Sequence, residues 1–358
     1  MKKKITFIIN SLEGGGTEKH LLNLVRILKK NYEICVFAFK SGRLIKLFKD
    51  EKIEVEILEQ NKNSFFFFIK FLLTTNTDIY HFFLPKSYII GSIMTYFSSK
   101  KKIMSRRSLN NYHKKYFNIS LYVEKFLHKK IDLILTNSKL IKDQLIEKEG
   151  VKENKVFVIK NFFKPKQKKI DLKKKLGLKS SEKLFGLVAN LIPYKNHLHI
   201  IKACANLKSM NWKLLFIGED RNNYKHKLER EIKKLGLENN IIFTGFLDDI
   251  EMCLGDLEFV VNASHEEGSS NSLLQALASG VPVLASNIAT NKEFVEHKKN
   301  GFLFEKGNIK DLTKYLELLL KFRNIKKMRI KSKQIFRKRF NLQKSRNDYL
   351  DIYKKLIN

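Results

Sequence analysis

Cysteine is scarce. Cys35, Cys204 and Cys253 lie far apart, without the paired spacing that a structural zinc site or a disulfide framework needs. A cysteine-stapled scaffold is excluded, and a reducing cytosol is the expected setting. Proline is nearly as rare, with 4 residues beside 16 glycines, so collagen-like and low-complexity classes drop out. Long apolar runs are missing as well. The longest, Ser64 to Leu73, contains Lys70 and falls short of the ~20 residues that cross a bilayer. At the N-terminus Lys2 to Lys4 precede a short strand-like stretch and a Gly-rich turn, in which no signal peptide can be read. The chain is expected to be cytoplasmic.

Acidic residues are outnumbered: 36 Asp and Glu face 70 Lys and Arg, a formal charge of +34. A field of that sign attracts phosphate-rich or anionic-lipid partners. Abundant Lys, Asn, Ile and Phe would also follow from a general compositional bias, so the clustering is more telling than the total. Residues 61–130 hold 13 Lys and Arg with only Asp78 and Glu124 as acids, and residues 321–339 hold ten with none. The length of 358 residues, the 43% apolar content and the 28 Phe are enough for two compact cores.

Short β-branched or aromatic runs alternate with helical patterns. Ile5–Ile9, Ile34–Phe39, Ile53–Leu58, Asp78–Phe83, Lys102–Ser105, Ile131–Thr136 and Lys155–Ile159 read as strands of a first domain. Leu184–Ala189, Trp212–Ile217, Asn240–Thr244, Leu257–Asn262 and Val281–Ala285 read as strands of a second. Continuous apolar strands separated by helices predict parallel α/β sheets. Between them Lys164–Lys175, with seven Lys and one Asp around Pro165, reads as a linker. Ligands of such sheets bind beyond the carboxyl ends of the strands, and three constellations stand there.

After the first strand comes Ser11-Leu12-Glu13-Gly14-Gly15-Gly16-Thr17-Glu18. Leu21, Leu24, Val25 and Leu28 follow at helical spacing, so Thr17 is a candidate cap, and bare glycine N–H groups at a positive helix end suit a phosphate. A plain strand-to-helix turn is the alternative. G-x-G-x-x-G fails because Lys19 stands where the third glycine belongs, no acid follows the second strand to hold a ribose, and no P-loop Gly-Lys-Ser/Thr is present. After the first strand of the second domain comes Asn190-Leu191-Ile192-Pro193-Tyr194-Lys195. Its lysine could neutralise a departing phosphate or be one solvated cation among many.

The third constellation runs from Phe259 to Val283 through Ser264-His265-Glu266-Glu267-Gly268-Ser269-Ser270-Asn271 and Gln275. It reads strand, polar loop, helix, turn, strand. Gly268, Ser269, Ser270 and Asn271 offer caps and N–H groups to a diphosphate. Glu267 and Gln275 can address opposite ends of one elongated ligand. H-E-x-x-H fails at Ser269.

Together these segments resemble the glycosyltransferases of family 4, over nearly the whole chain. Gly14 to Glu18 is similar to the family's N-terminal GGxE loop, Asn190 to Lys195 to its R-x-x-x-x-K segment, and Glu267 to Gln275 to its E-x7-E segment, with Asp78 to His81 and Asp132 to Ser138 similar to its connecting strands. The resemblance implies a GT-B fold: two Rossmann-like parallel-sheet domains facing across a cleft. The expected bounds are 1–165 for an acceptor-binding domain and 166–340 for a sugar-nucleotide-binding domain, with 341–358 a helix crossing back.

The implied reaction moves a hexose-type sugar, with retention, from a nucleotide-diphosphate sugar to a glycan or lipid-linked acceptor. Bacterial surface polysaccharide or lipopolysaccharide synthesis is the implied setting. The resemblance implies that Gly15, Gly16 and Lys195 meet the donor diphosphate and that Glu267 binds the sugar. Two departures stand out. Asn190 replaces an Arg common in the family, and Gln275 replaces a second Glu that holds the ribose, so a catalytically silent sugar-nucleotide binder is an alternative. Arg106 or Arg107 could supply the charge that Asn190 lacks, and His81 could face the reaction.

No metal is expected, since charge is neutralised otherwise and Asp248-Asp249 lacks D-x-D spacing; no cofactor is expected, the nucleotide sugar being a substrate of UDP or GDP type. Residues Asn111–Lys130 interleave Tyr112, Tyr116, Phe117, Leu121, Phe126 and Leu127 with Lys114, Lys115, Lys125, Lys129 and Lys130, as an interfacial helix does. A solvated core helix is the alternative. The expected partners are thus the nucleotide sugar, the acceptor and an anionic membrane surface on the inner face of the plasma membrane. Arg329, Lys331, Lys333 and Arg337–Arg339 raise a nucleic-acid rival, but no specific nucleic acid is expected.

Overall fold

The computed structural model describes residues 2–60, 64–109, 119–162, 165, 170–220, 223–247, 250–322 and 325–357. The chain forms two compact units, one of Met1–Phe162 with Leu342–Asn358 and one of Phe163–Asn341.

The first unit is built on seven parallel strands: β1 (Lys4–Ser11), β2 (Glu33–Lys40), β3 (Glu54–Ile57), β4 (Ile79–Phe83), β5 (Lys101–Arg106), β6 (Leu133–Thr136) and β7 (Val156–Val158). Their order is β3-β2-β1-β4-β5-β6-β7. Side chains alternate across the sheet, so Ile5, Phe7 and Ile9 enter one core and Ile8 the other. One face is covered by α1 (Gly16–Leu28), α2 (Ile45–Asp50) and the C-terminal α14 (Leu342–Ile357). The other carries α3 (Ser64–Thr74), α4 (Pro85–Met94), α5 (Ile119–Leu127) and α6 (Lys139–Glu147). In α1 the expected stripe of Leu21, Leu24, Val25 and Leu28 is fully buried.

The second unit has six parallel strands: β8 (Lys183–Val188), β9 (Trp212–Ile217), β10 (Ile241–Gly245), β11 (Phe259–Asn262), β12 (Val283–Ser286) and β13 (Gly301–Phe304), in the order β10-β9-β8-β11-β12-β13. Its helices are α7 (Leu172–Lys175), α8 (His197–Cys204), α9 (Tyr224–Lys234), α10 (Ile250–Cys253), α11 (Asn271–Ala278), α12 (Ile309–Lys321) and α13 (Lys326–Arg339). Two apolar layers, one around Trp212 and Phe259 and one around Leu257 and Leu274, cover the two faces.

Every strand expected from the sequence is present, with ends displaced by at most two residues; β13 was not foreseen, because a four-residue apolar run beside a longer amphipathic helix gives little periodicity. Three local expectations need correction. Gly15, not Thr17, is the N-cap of α1, and it caps without a side chain. The presumed linker is folded at its end: Asp171 caps α7 by accepting from the Lys174 N–H, and Leu172 is buried. The interfacial segment is described only from Ile119, so Tyr112, Lys114, Lys115, Tyr116 and Phe117 lie outside the described residues, as do Asp248 and Asp249. No helix is long and apolar enough to cross a membrane among the described residues.

Two buried polar networks hold the first unit together. Under α14, His81 is enclosed, with Tyr353 hydroxyl on Nδ1 at 2.5 Å and Ser105 hydroxyl on Nε2 at 2.8 Å. His20 meets Tyr349 hydroxyl at 2.9 Å, and Arg107 binds both Tyr349 and the Asn161 amide oxygen. Burial, then the Arg107 guanidinium, hold both imidazoles well below their usual range, with His81 a further cause for His20. On the other face, Arg106 Nη2 lies 2.7 Å from Glu124 and 2.9 Å from Glu149, and His128 Nε2 is 2.8 Å from the same Glu149 oxygen.

These contacts give three candidate site residues partners within the protein. His81 has both ring nitrogens engaged by protein hydroxyls, Arg106 is the buried counterion of two carboxylates, and Arg107 fastens α14. Losing one member of a buried ion-pair network typically costs about 3–5 kcal/mol, so Glu149→Ala is expected to lower the unfolding free energy by about that much in guanidinium titrations. The folded chain keeps His20 and His81 neutral, whereas the unfolded chain protonates them near about pH 6.5. Stability is therefore complete above that pH and declines below it, by up to about 1.4 kcal/mol per pH unit for each histidine. Urea midpoints at pH 7 and 5.5 are expected to show the decline, and His20→Gln to reduce it.

Candidate active site

In the second unit β8 has β9 on one side and β11 on the other. Successive connections therefore leave in opposite directions at the β8/β11 boundary, the place where open parallel sheets bind ligands. The loops that follow these two strands are stitched together. Asn196, with φ of 60°, donates from Nδ2 to the Ala263 carbonyl at 2.9 Å, and the His265 N–H donates to the Tyr194 carbonyl at 3.0 Å. Behind them the β9 loop comes so close that a Cβ on Gly218 would meet the Ala189 carbonyl oxygen at 2.2 Å.

This stitching brings together Lys195 and Glu267, which are 72 positions apart. Lys195 Nζ donates to Glu267 Oε1 at 2.5 Å, with both side chains largely buried. Burial alone would depress the Lys195 ammonium, yet the Glu267 carboxylate, with Tyr194 and Glu266, outweighs it and the pKa is raised. The same Oε1 accepts from Ser264 hydroxyl at 2.8 Å and from Asn262 Nδ2 at 3.4 Å. The charge beside His197, after burial, pushes that imidazole down to about 3.

Helix α11 begins beside this pair. Ser270 caps it, its hydroxyl accepting from the Leu273 N–H at 3.4 Å. Gly268, Ser269 and Asn271 surround that N-terminus, and Gln275 lies half-buried on the second turn. Ammonium, helix N-terminus and carboxylate thus offer two positive centres for a diphosphate and one acceptor for hydroxyls.

Other candidates stand differently. Asn190 accepts from the Glu219 N–H at 3.2 Å, so its amide oxygen braces the β9 loop. In the first unit Gly14 takes φ of 107° and Gly15 opens α1, where the Glu18 carboxylate folds back and receives the Ser11 hydroxyl at 3.2 Å. The N–H groups of Gly15 and Gly16 share that helix end with a carboxylate. Asn262 was missed by sequence reasoning. Fully buried, it donates to Glu267 and to Ser270 Oγ and accepts the Ser264 N–H. The available signal was an amide closing the otherwise apolar Phe259-Val260-Val261 strand.

Of the basic run near the C-terminus, Arg329 binds the Gly255 and Leu257 carbonyls, while Lys331 and Arg339 pair with Glu296. Ligand-type atoms of Glu124, His128 and Glu149 lie within 4.8 Å of one another, but the Arg106 guanidinium already supplies their positive charge.

Two Rossmann-like parallel-sheet units, one with a cation and a carboxylate at its switch point, define the GT-B class of nucleotide-sugar-dependent transferases. The profile described as "Glycosyl transferases group 1" matches residues 168–337, and that of "Glycosyltransferase Family 4" matches residues 14–167. The chain belongs to this glycosyltransferase family.

It is 26% identical over 350 residues, covering 91% of this chain and 92% of the relative, to the N-acetylgalactosamine-N,N'-diacetylbacillosaminyl-diphospho-undecaprenol 4-alpha-N-acetylgalactosaminyltransferase of Campylobacter jejuni. Identity to the capsular polysaccharide biosynthesis glycosyltransferase CapH of Staphylococcus aureus is 25% over 314 residues, 83% of this chain and 85% of that protein. The fold is shared with Anabaena Alr3699/HepE in complex with UDP-glucose, at TM-score 0.88 and 22% identity over 98% of this chain and 99% of that one.

Removing the Glu267 charge leaves burial as the leading influence on Lys195. Glu267→Gln is therefore expected to move the Lys195 titration from above about 10.4 to below it, as followed by NMR of the Nζ group; an unchanged midpoint would show that the pair is not electrostatically coupled.

Proposed function

We propose that the protein transfers a hexose-type sugar from a nucleotide-diphosphate sugar to a lipid-linked or glycan acceptor of a bacterial surface polysaccharide, with retention and without a metal ion. The observation that carries the reading is the Lys195–Glu267 pair at 2.5 Å beside the N-terminus of α11. The diphospho-undecaprenol acceptor in the name of the Campylobacter relative and the capsular role of CapH support the acceptor class.

In this reading the donor diphosphate lies against the α11 N-terminus and Lys195, which exchanges its carboxylate partner for phosphate oxygen. Glu267, released, accepts a hydrogen bond from a sugar hydroxyl while Asn262 and Ser264 hold its other side. As the bond from sugar C1 to the diphosphate oxygen breaks, Lys195 and the helix N–H groups stabilise the growing negative charge. The acceptor oxygen bonds to C1 on the face that the diphosphate leaves, and the acceptor proton passes to the departing phosphate. Half-buried Gln275 can donate to or accept from a ribose hydroxyl, where a carboxylate would only accept. The site lies on the cytoplasmic side of the plasma membrane, where both sugar nucleotide and lipid-linked acceptor are within reach.

Asn190 and Gln275 keep a second reading in view, a binder of sugar nucleotides without turnover. A panel of UDP- and GDP-sugars with an undecaprenyl-diphosphate-linked acceptor separates the two. Turnover with retained anomeric configuration by NMR, undiminished by EDTA, is expected, and Lys195→Ala should lower kcat by roughly 10²–10³-fold. Binding without turnover would establish the silent reading, and neither binding nor turnover would overturn both.

A further inference from the structure

The Lys195 ammonium has a second neighbour besides Glu267. Tyr194 precedes it in a single 3-10 turn, Pro193–Lys195, and Lys195 Nζ lies 5.0 Å from the centroid of the Tyr194 ring. That is inside the ~6 Å reach of a cation–π contact. Consecutive side chains in such a turn leave the axis about 120° apart, so the lysine stem folds back to bring its charge over the preceding ring.

The backbone that carries the ring is fixed at several points. Pro193 sets the entry to the turn. The Tyr194 carbonyl accepts the His265 N–H at 3.0 Å, and the Lys195 N–H donates to the Ile192 carbonyl at 3.1 Å. Directly afterwards the left-handed Asn196 ties the chain to Ala263. The ring is therefore placed by the same β11 loop that carries Glu267. Packing does not account for an aromatic at this position: Tyr194 is 46% exposed, and neither apolar layer of the second unit includes it.

A ring holds a cation differently from a carboxylate. Glu267, and Glu266 more weakly, favour the ammonium as anions, and an anion on Lys195 competes with an incoming phosphate. The ring attracts through its quadrupole and has no net charge, so it keeps its hold while one anion replaces another. His197, pushed down to about 3 by burial and then by Lys195, stays neutral and adds no competing charge. Lysine is a point charge on a flexible four-carbon stem; once its carboxylate partner lets go, the ring is what keeps that charge where it was.

We propose that Tyr194 is a positioning residue for Lys195, its ring steadying the ammonium while the Glu267 carboxylate is exchanged for the donor diphosphate. This rests on the reading that Lys195 meets that diphosphate, and deepens it by naming what holds the cation through the exchange.

The test compares Tyr194→Phe and Tyr194→Leu in the full chain, alone and combined with Lys195→Ala. The affinities of UDP and GDP are measured by calorimetry at neutral pH, the Lys195 Nζ titration of the ligand-free chain is followed by NMR, and thermal unfolding is the folding control. Affinity for the tighter of the two nucleotides is expected to fall roughly 5-fold or more in Tyr194→Leu and to be kept in Tyr194→Phe. With Lys195→Ala present, Tyr194→Leu is expected to cost nothing further, whereas a merely structural ring would weaken binding in both backgrounds. In the ligand-free chain Tyr194→Phe is expected to hold the Lys195 proton roughly 5-fold more tightly than Tyr194→Leu, a comparison in which no phenol charge takes part. Equal behaviour of the Phe and Leu variants, or a loss in Tyr194→Leu that persists without Lys195, would overturn the proposal. The underlying reading fails separately: a wild-type chain that binds neither nucleotide would sink the diphosphate site, while the ligand-free titration would still report whether ring and ammonium are coupled.

Discussion

The fold of the second unit brings Lys195 and Glu267, 72 positions apart, to within 2.5 Å of each other. Burial works against an ammonium at that depth, and a facing carboxylate works for it. Ser264 and Asn262 complete the carboxylate's hydrogen bonds. Everything around them serves that proximity. The left-handed Asn196 turn, the bond from its amide to Ala263 and the tight packing at Gly218 fix two loops from adjacent strands. In the proposed reaction an arriving diphosphate would exchange one anion for another around a cation already in place. Reorganisation is small, the condition under which electrostatic stabilisation of a leaving group is most effective.

Much of this was legible in the sequence because parallel sheets are written in blunt characters. A strand buried on both faces must be apolar along its whole length, so Phe259-Val260-Val261 or Trp212-to-Ile217 can be read almost to the residue. Chemistry follows the strand ends, and polar residues there stand out against apolar neighbours. Lys195 and Glu267 were singled out that way, and the fold pairs them. Asn262 was not, since a terminal amide on a strand reads as a boundary marker, whereas its value lies in three partners that only the fold assembles.

The first unit shows the opposite case. His81, Arg106 and Arg107 all lie at or near strand carboxyl ends, as position alone requires of site residues, yet the structure commits each to a protein partner. The partners are remote: Tyr353 is 272 positions from His81, Glu149 is 43 from Arg106, and Tyr349 arrives on a helix that follows the second unit. A sequence gives the placement of a charged group along its own strand but not the counter-charge that arrives from the far end of the chain.

The excess of positive charge divides along the same line. Part of it is internal: Arg106 neutralises two carboxylates, Arg329 satisfies carbonyls that end an element, and Lys331 and Arg339 converge on Glu296. These cations have partners within the protein, however conspicuous their run in the sequence. The lysines beside Tyr96 and Phe126 have ring faces rather than carboxylates beneath them, and a cation over a ring keeps its attraction for an external anion because the ring carries no net charge to cancel it. Net charge therefore reports little by itself, whereas the placement of Lys129 and Lys130 beside the rings of Phe126 and Tyr96 carries information.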